Sequence, residues 1–191
     1  TLGAHNVRNA LAASAVALAA GISSEKIKQG LEAFVPVNGR MQIKFSDPRW
    51  ILIDDSYNAN PDSVRAAIDA LKQSGGIAWL VLGDMGEVGN QGPEFHREVG
   101  AYAAGQGVAR LFALGEQSTF AVSSFDSIKN GTASSASHFT NVENLITRLQ
   151  EDLRTHLTGG NQHLHILVKG SRFMRMERVV QALLEEAKSC S

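Results

Sequence analysis

Two adjacent carboxylates, Asp54 and Asp55, stand directly behind four apolar residues, Trp50 to Ile53, in the string WILIDDSYNANPD. Small polar side chains follow, and then Pro61 opens a helical pattern. A buried strand that ends in acids and amides places those groups at its carboxyl end, where α/β sheets gather ligands. Three more segments follow expected strands: 83–89 (GDMGEVG), 115–118 (GEQS) and 169–172 (KGSR). In a parallel sheet all four emerge along one edge. Together they carry carboxylates (Asp54, Asp55, Asp84, Glu87, Glu116), amides (Asn58, Asn60), hydroxyls (Ser56, Tyr57, Ser118, Ser171) and cations (Lys169, Arg172). That set suits a small zwitterion, with carboxylates for an ammonium and cations or backbone N–H groups for a carboxylate. It suits the ribose and phosphates of a nucleotide equally well. Strand alternation sends Asp54 and Asp55 to opposite faces, so one functional acid is expected of the two.

Other chemistries find no support. There is no G-x-x-x-x-G-K-[ST] and no G-x-G-x-x-G, and the two acids of the glycine-rich 83–89 segment would repel phosphate. No G-x-S-x-G elbow or H-E-x-x-H pair occurs. His163 and His165 share a strand face without a third ligand at metal-site spacing, so no metal site is expected. His96 falls inside a helix and reads as a core or surface residue. The net charge of −1, with both signs interspersed, lacks the basic patch of a nucleic-acid binder. The one cysteine, Cys190, permits no internal disulfide and fits a reducing compartment. The run at 11–21 is alanine-rich, leads into a turn and a second helix, and is shorter than the ~20 residues of a membrane span. It is expected to be a close-packed core helix rather than a signal segment. The chain opens on Thr1 rather than Met and reads as a fragment or a processed product.

The elements that must position these residues form an alternating series. Helices are expected over 6–20 and 26–34, and a break at 35–39 (VPVNG) marks a domain boundary. Strands at 41–45 and 50–53 form a hairpin around Ser46, Asp47, Pro48 and Arg49. Helix 61–74, strand 77–82, helix 93–105, strand 110–114, helix 119–130, a weak strand at 138–139, helix 142–156, strand 163–168 and helix 173–188 complete the chain. Such alternation argues for an α/β fold, its mostly parallel sheet built with right-handed crossovers and an antiparallel edge from the hairpin. Asn6 and Asn9 share one face of the first helix; near a helix start they are caps or ligands. Arg40, after Gly39, is a boundary surface cation or a ligand. Lys169 sits at a strand end before Gly170, which lets backbone come close, and reads as functional.

Five strings in order, HNVRNALAA from His5, NGRM from Asn38, DDSYNANP from Asp54, LGDMGEVG from Leu82 and VKGSR from Val168, resemble the Mur ligase family over essentially the whole chain. The resemblance implies residues 1–38 as the last helices of a central ATPase domain and 39–191 as a C-terminal Rossmann-like, three-layer domain. The P-loop, the magnesium-binding residues and the UDP-binding domain are absent from these residues. By resemblance the parent enzyme is a cytoplasmic, ATP-dependent amide ligase of peptidoglycan precursor synthesis, using Mg2+ and joining D-alanyl-D-alanine to a UDP-muramoyl-tripeptide. A sister ligase adding another amino acid is the alternative within the family, and a non-catalytic binding module the alternative outside it. The resemblance assigns Asn6 and Asn9 to the adenine, Arg40 to the phosphates and Asp55 to the ribose. It places Ser56, Tyr57, Asn58, Asn60, Asp84, Glu87, Lys169, Ser171 and Arg172 where the dipeptide enters. It implies no catalytic residue and no metal ligand within this chain alone, no membrane or nucleic-acid partner, and a hinge near 35–39.

Overall fold

A computed structural model describes residues 4–34, 37–128, 134–159 and 162–189, with side chains from Val7 to Lys188. Thr1, Val35, Pro36, Asn130 and Cys190 lie outside the described residues. So do the middle of the expected hinge and the end of the expected 119–130 helix.

The sheet begins with a hairpin of β1 (Gln42–Ser46) and β2 (Trp50–Asp55). Asp47 makes the turn: its Oδ1 accepts the N–H groups of Arg49 and Trp50 at 2.7 and 2.8 Å. Then follow α3 (Pro61–Gln73), β3 (Ile77–Gly83), α4 (Gly92–Gly105), β4 (Arg110–Leu114) and α5 (Ser118–Ile128). The chain continues through β5 (Ser135–Phe139), α6 (Val142–Gly159), β6 (Leu164–Lys169) and α7 (Glu177–Ser189). Among the described residues six strands lie in the order β1-β2-β6-β3-β4-β5, with only β1 antiparallel. The fold is therefore the expected α/β arrangement with a mostly parallel sheet.

Apolar residues on alternate sides of the strands build two cores. Ile53, Leu80, Leu82, Leu111 and Leu167 meet α3, α4 and α5 through Val64, Ile68, Val99, Ala121 and Phe125. Leu52, Val81, Phe112, Ile166 and Val168 meet α6 and α7 through Leu145, Leu149, Leu153, Val179 and Leu183. Crossovers running from β2 toward β5 carry their helices on one face. The return to β6 carries its helix on the other, as a single handedness of connection requires. Chain direction reverses beside β6, so the crevice of this sheet opens at the ends of β2, β6 and β3.

Several boundaries differ from the expectation, and the differences matter at the site. Strand β2 runs on to Asp55 and β6 to Lys169, because both polar residues are still paired, Asp55 opposite Lys169. Strand β5 spans five residues rather than two. It is an edge strand paired to β4 alone, so its polar residues meet solvent and leave no apolar run to read. The first helix, α1 (Ala4–Ala19), forms but is not a packed core element. Its Val7, Leu11, Val16 and Leu18 are 55–71% exposed. It packs chiefly on α2 (Ser24–Glu32), which buries none of its own residues. Among the described residues no helix is long and apolar enough to cross a membrane.

Candidate functional site

At the carboxyl ends of β2 and β6 lies a cavity of about 520 Å³. Asn9, Arg40, Asp55, Tyr57, Asn58, Asn60 and Lys169 line it, together with Gly39, Met41, Ala59, Asp62, Ser63 and Ala66. Neighbouring parallel strands end side by side here, so pairing alone sets Asp55 against Lys169. Lys169 is 3% exposed; its Nζ donates to Asp55 Oδ2 at 2.5 Å and to the Asn58 carbonyl at 3.0 Å. A buried ammonium needs such partners, because leaving it without them costs several kcal/mol, on the order of 3–5. The other carboxylate oxygen, Oδ1, accepts the Met41 N–H at 3.0 Å. Asp54 points elsewhere: its Oδ1 accepts from the Ser56 amide at 3.1 Å and the Ser56 hydroxyl at 2.6 Å, and Lys44 lies 3.9 Å away.

The segment 39–41 is strapped to the turn behind β2. Tyr57 N–H donates to the Gly39 carbonyl at 3.0 Å. Gly39 has φ +74°, and a Cβ there would stand 2.9 Å from the Tyr57 nitrogen. Only glycine meets both conditions without strain. Met41 holds φ +46° despite its side chain, which is sunk in the core at 6% exposure. Between them Arg40 is exposed, its guanidinium 4.7 Å above the Tyr57 ring. A planar cation on an aromatic face is held in direction yet keeps its N–H donors available.

Beyond Lys169 the chain knits the neighbouring loops together. Ser171 Oγ donates to the Ala59 carbonyl at 3.0 Å and accepts the Gly86 N–H at 2.5 Å, while its own amide donates to the Asp84 carbonyl at 3.1 Å. The carboxylate of Asp84 accepts the Ser118 and Gln117 amides at 2.7 and 3.1 Å, capping the first turn of α5. His96, fully buried, accepts the Met85 N–H on Nε2 at 3.0 Å and reaches the Gly92 carbonyl with Nδ1 at 2.7 Å, so the N–H sits on Nδ1. Glu87 is exposed at φ +60°, and Arg172 is exposed and paired with Glu177 at 3.0 Å. Asn60 caps α3 through a reciprocal pair of bonds with Ser63.

Of the residues singled out by sequence, Asn9, Arg40, Asp55, Tyr57, Asn58, Asn60 and Lys169 converge on the cavity. Ser56, Asp84, Glu87, Ser171 and Arg172 stand on the same edge of the sheet but outside its lining. The Asn6 side chain lies outside the described residues. Sequence reasoning missed Met41, whose backbone amide anchors Asp55, and a positive φ at methionine leaves no sequence signal. It also missed His96 as the brace of the 83–89 loop.

His163 and His165 lie at the opposite end of the sheet. Their rings meet at 2.8 Å, with His163 on the Asp47 carbonyl and His165 on Ser74 Oγ. Burial, and then the neighbouring His163, hold the His165 imidazole below its ordinary value. Among the described residues no group of three His, Cys, Asp or Glu side chains is placed to hold a metal ion.

Residues 39–172, from the Gly39 turn to the end of the KGSR string, match the model of the Mur ligase, glutamate ligase domain. The chain belongs to the Mur ligase family. Relatives in this family extend the likeness across the N-terminal helices. The UDP-N-acetylmuramoyl-tripeptide–D-alanyl-D-alanine ligase of Escherichia coli is 39% identical over 184 residues, covering 96% of this chain and 38% of that protein. The ligase of the same name from Haemophilus influenzae is 38% identical over 187 residues, covering 98% of this chain and 39% of that protein. A crystal structure of MurF from Acinetobacter baumannii, 36% identical, superposes with a TM-score of 0.83 over 96% of this chain and 38% of that one. The chain thus spans rather more than a third of the length of the Mur ligases it resembles.

Proposed function

We propose that this chain is the C-terminal portion of an ATP-dependent ligase that joins D-alanyl-D-alanine to a UDP-muramoyl-tripeptide in peptidoglycan precursor synthesis. The observation that carries this reading is the 39% identity to the Escherichia coli ligase along 96% of the chain. On this reading residues 1–38 complete a central ATPase domain and 39–191 form the closing domain, in a protein that works in the cytoplasm.

A tripeptide carboxylate oxygen attacks the γ-phosphorus of ATP, ADP departs, and an acyl phosphate remains. The dipeptide amine then attacks the acyl carbon; phosphate leaves and a proton is lost. Magnesium is held mainly by the portion of the protein outside this chain. Within the chain, Asn6 and Asn9 face the adenine, Asp55 the ribose, and Arg40 offers its donors to the phosphates from above Tyr57. Ser56, Tyr57, Asn58, Asn60, Asp84, Glu87, Lys169, Ser171 and Arg172 build the wall along which the dipeptide arrives, some by contact and some by holding the loops. The task of this wall is orientation. Holding an amine against an activated acyl group contributes up to ~7–11 kcal/mol of a barrier. Closure over it keeps water from a hydrolysable intermediate. No nucleic acid or membrane takes part.

The test is amide formation by the complete protein, offered D-alanyl-D-alanine, D-glutamate or a diamino acid with ATP and the corresponding UDP-muramoyl acceptors. Turnover dependent on D-alanyl-D-alanine supports the reading. Turnover only with a single amino acid points to a sister ligase. No turnover with any acceptor points to a binding module.

A further inference from the structure

Lys169 and Asp55 are both nearly enclosed, and each is bound to the other. The ammonium gives one N–H to Asp55 and one to the Asn58 carbonyl, so it grips the strand end and the turn behind it together. Asp55 in turn has its second oxygen on the Met41 amide. Met41 is the residue after Arg40, and its backbone sits at φ +46°, where side-chain-bearing residues are uncommon. Such a conformation persists where its surroundings over-determine it. Here the surroundings are the buried Met41 side chain below, the Asp55 carboxylate at its amide, and the Tyr57–Gly39 bond two residues before. Among the described residues the Arg40 side chain makes no ion pair; its guanidinium lies over the Tyr57 ring, and its amide donates to the Val37 carbonyl at 3.2 Å. Its direction is therefore set by the backbone on either side and by that ring, and both run back to the turn that Lys169 holds.

We propose that Lys169 is a positioning residue for the nucleotide side of the site: through Asp55 and the Met41 amide it fixes the direction of Arg40. A cation facing a substrate carboxylate would have free donors and open access. Lys169 instead has an enclosed carboxylate 2.5 Å away. The assignment deepens the ligase reading and rests on it for the word nucleotide; the mechanical link to Arg40 does not.

Two measurements separate those layers. In the 191-residue chain, Lys169→Met is expected to lower native-state exchange protection at the Met41 and Tyr57 amides at least tenfold. Protection at Leu80 and Leu167, in the middle of the sheet, is expected to stay unchanged. Should Lys169→Met not fold, Lys169→Arg, which keeps a cation but displaces it, reads the same two amides, with a smaller loss expected. Unchanged protection at Met41 in the folded variant overturns the link. In the complete ligase, Lys169→Met is expected to raise KM for ATP at least tenfold and KM for D-alanyl-D-alanine by a clearly smaller factor. The reverse split, with KM raised for the dipeptide alone, makes Lys169 a substrate contact and overturns the assignment. An inactive wild-type ligase would count against the function and leave the exchange result to decide the link.

Discussion

Asp55 joins two distant parts of the chain through one carboxylate, Lys169 on Oδ2 and the Met41 amide on Oδ1. Removing its cation leaves an enclosed carboxylate with only the Met41 amide, and losing one partner of a buried pair costs about 3–5 kcal/mol. Lys169→Met should therefore lower the midpoint of urea unfolding measured by circular dichroism, whereas Lys44→Met, which removes a partly exposed ammonium 3.9 Å from Asp54, should scarcely move it. At the other pole, His165 makes a pH prediction. Its imidazole is held below the ordinary 6.5, first by burial and then by His163. The unfolded chain thus takes up that proton at a higher pH than the folded chain does. The contribution is complete above about 6.5 and is lost as the pH falls through and below it. Unfolding midpoints measured at pH 7.5 and 5.5 should show the loss, and His165→Gln should flatten the difference. A wild-type midpoint equal at both pH values contradicts the lowered value assigned to His165.

Elements set the precision with which these residues meet. Helices α4 and α5 approach so closely that a Cβ on Gly100 would stand 2.0 Å from the Ala121 carbonyl oxygen. Overpacking of this kind costs about 1–3 kcal/mol, and backbone cannot yield as a side chain does. Gly100→Ala should lower thermal stability measurably while leaving the distant β2 turn in place, as two-dimensional NMR of the Tyr57 and Met41 amides would show. The same elements explain what the sequence disclosed. Strands β3 and β6 stand inside the sheet with both faces covered, so their apolar runs could be read directly. Pro61 marked the start of α3, and the structure adds Asn60 as its cap. Strand β5 was half hidden because an edge strand needs few apolar residues. Within the site, the loops could be placed on one edge from alternation alone. Their internal bonding could not, because Asp84 capping α5 and His96 bracing Met85 are contacts between segments remote in sequence. The strap at 39–41 was hidden for a further reason: its anchors are backbone amides and a carbonyl, which every residue carries.

At the scale of the whole molecule the exposed apolar residues are unevenly distributed. Val7, Leu11, Val16, Leu18, Ile22, Leu31, Phe34 and Val37 are all at least 44% exposed and all precede the strap. The sheet unit, by contrast, closes both of its cores. We expect a chain beginning at residue 39 to melt within a few degrees of the 191-residue chain in calorimetry, since few contacts join the two parts. A loss of more than 10 °C would show that α1 and α2 stabilise the sheet. On the proposed reading these apolar helical faces belong with the central ATPase domain that residues 1–38 complete, and the sheet unit is the domain that closes on it. The measurement that bears on this most directly is amide formation by the 191-residue chain beside the complete ligase, both supplied with ATP, UDP-muramoyl-tripeptide and D-alanyl-D-alanine. Amide, ADP and phosphate are expected in equal amounts from the complete ligase, and none from the chain alone. Amide formed by the chain alone would contradict the proposed reading.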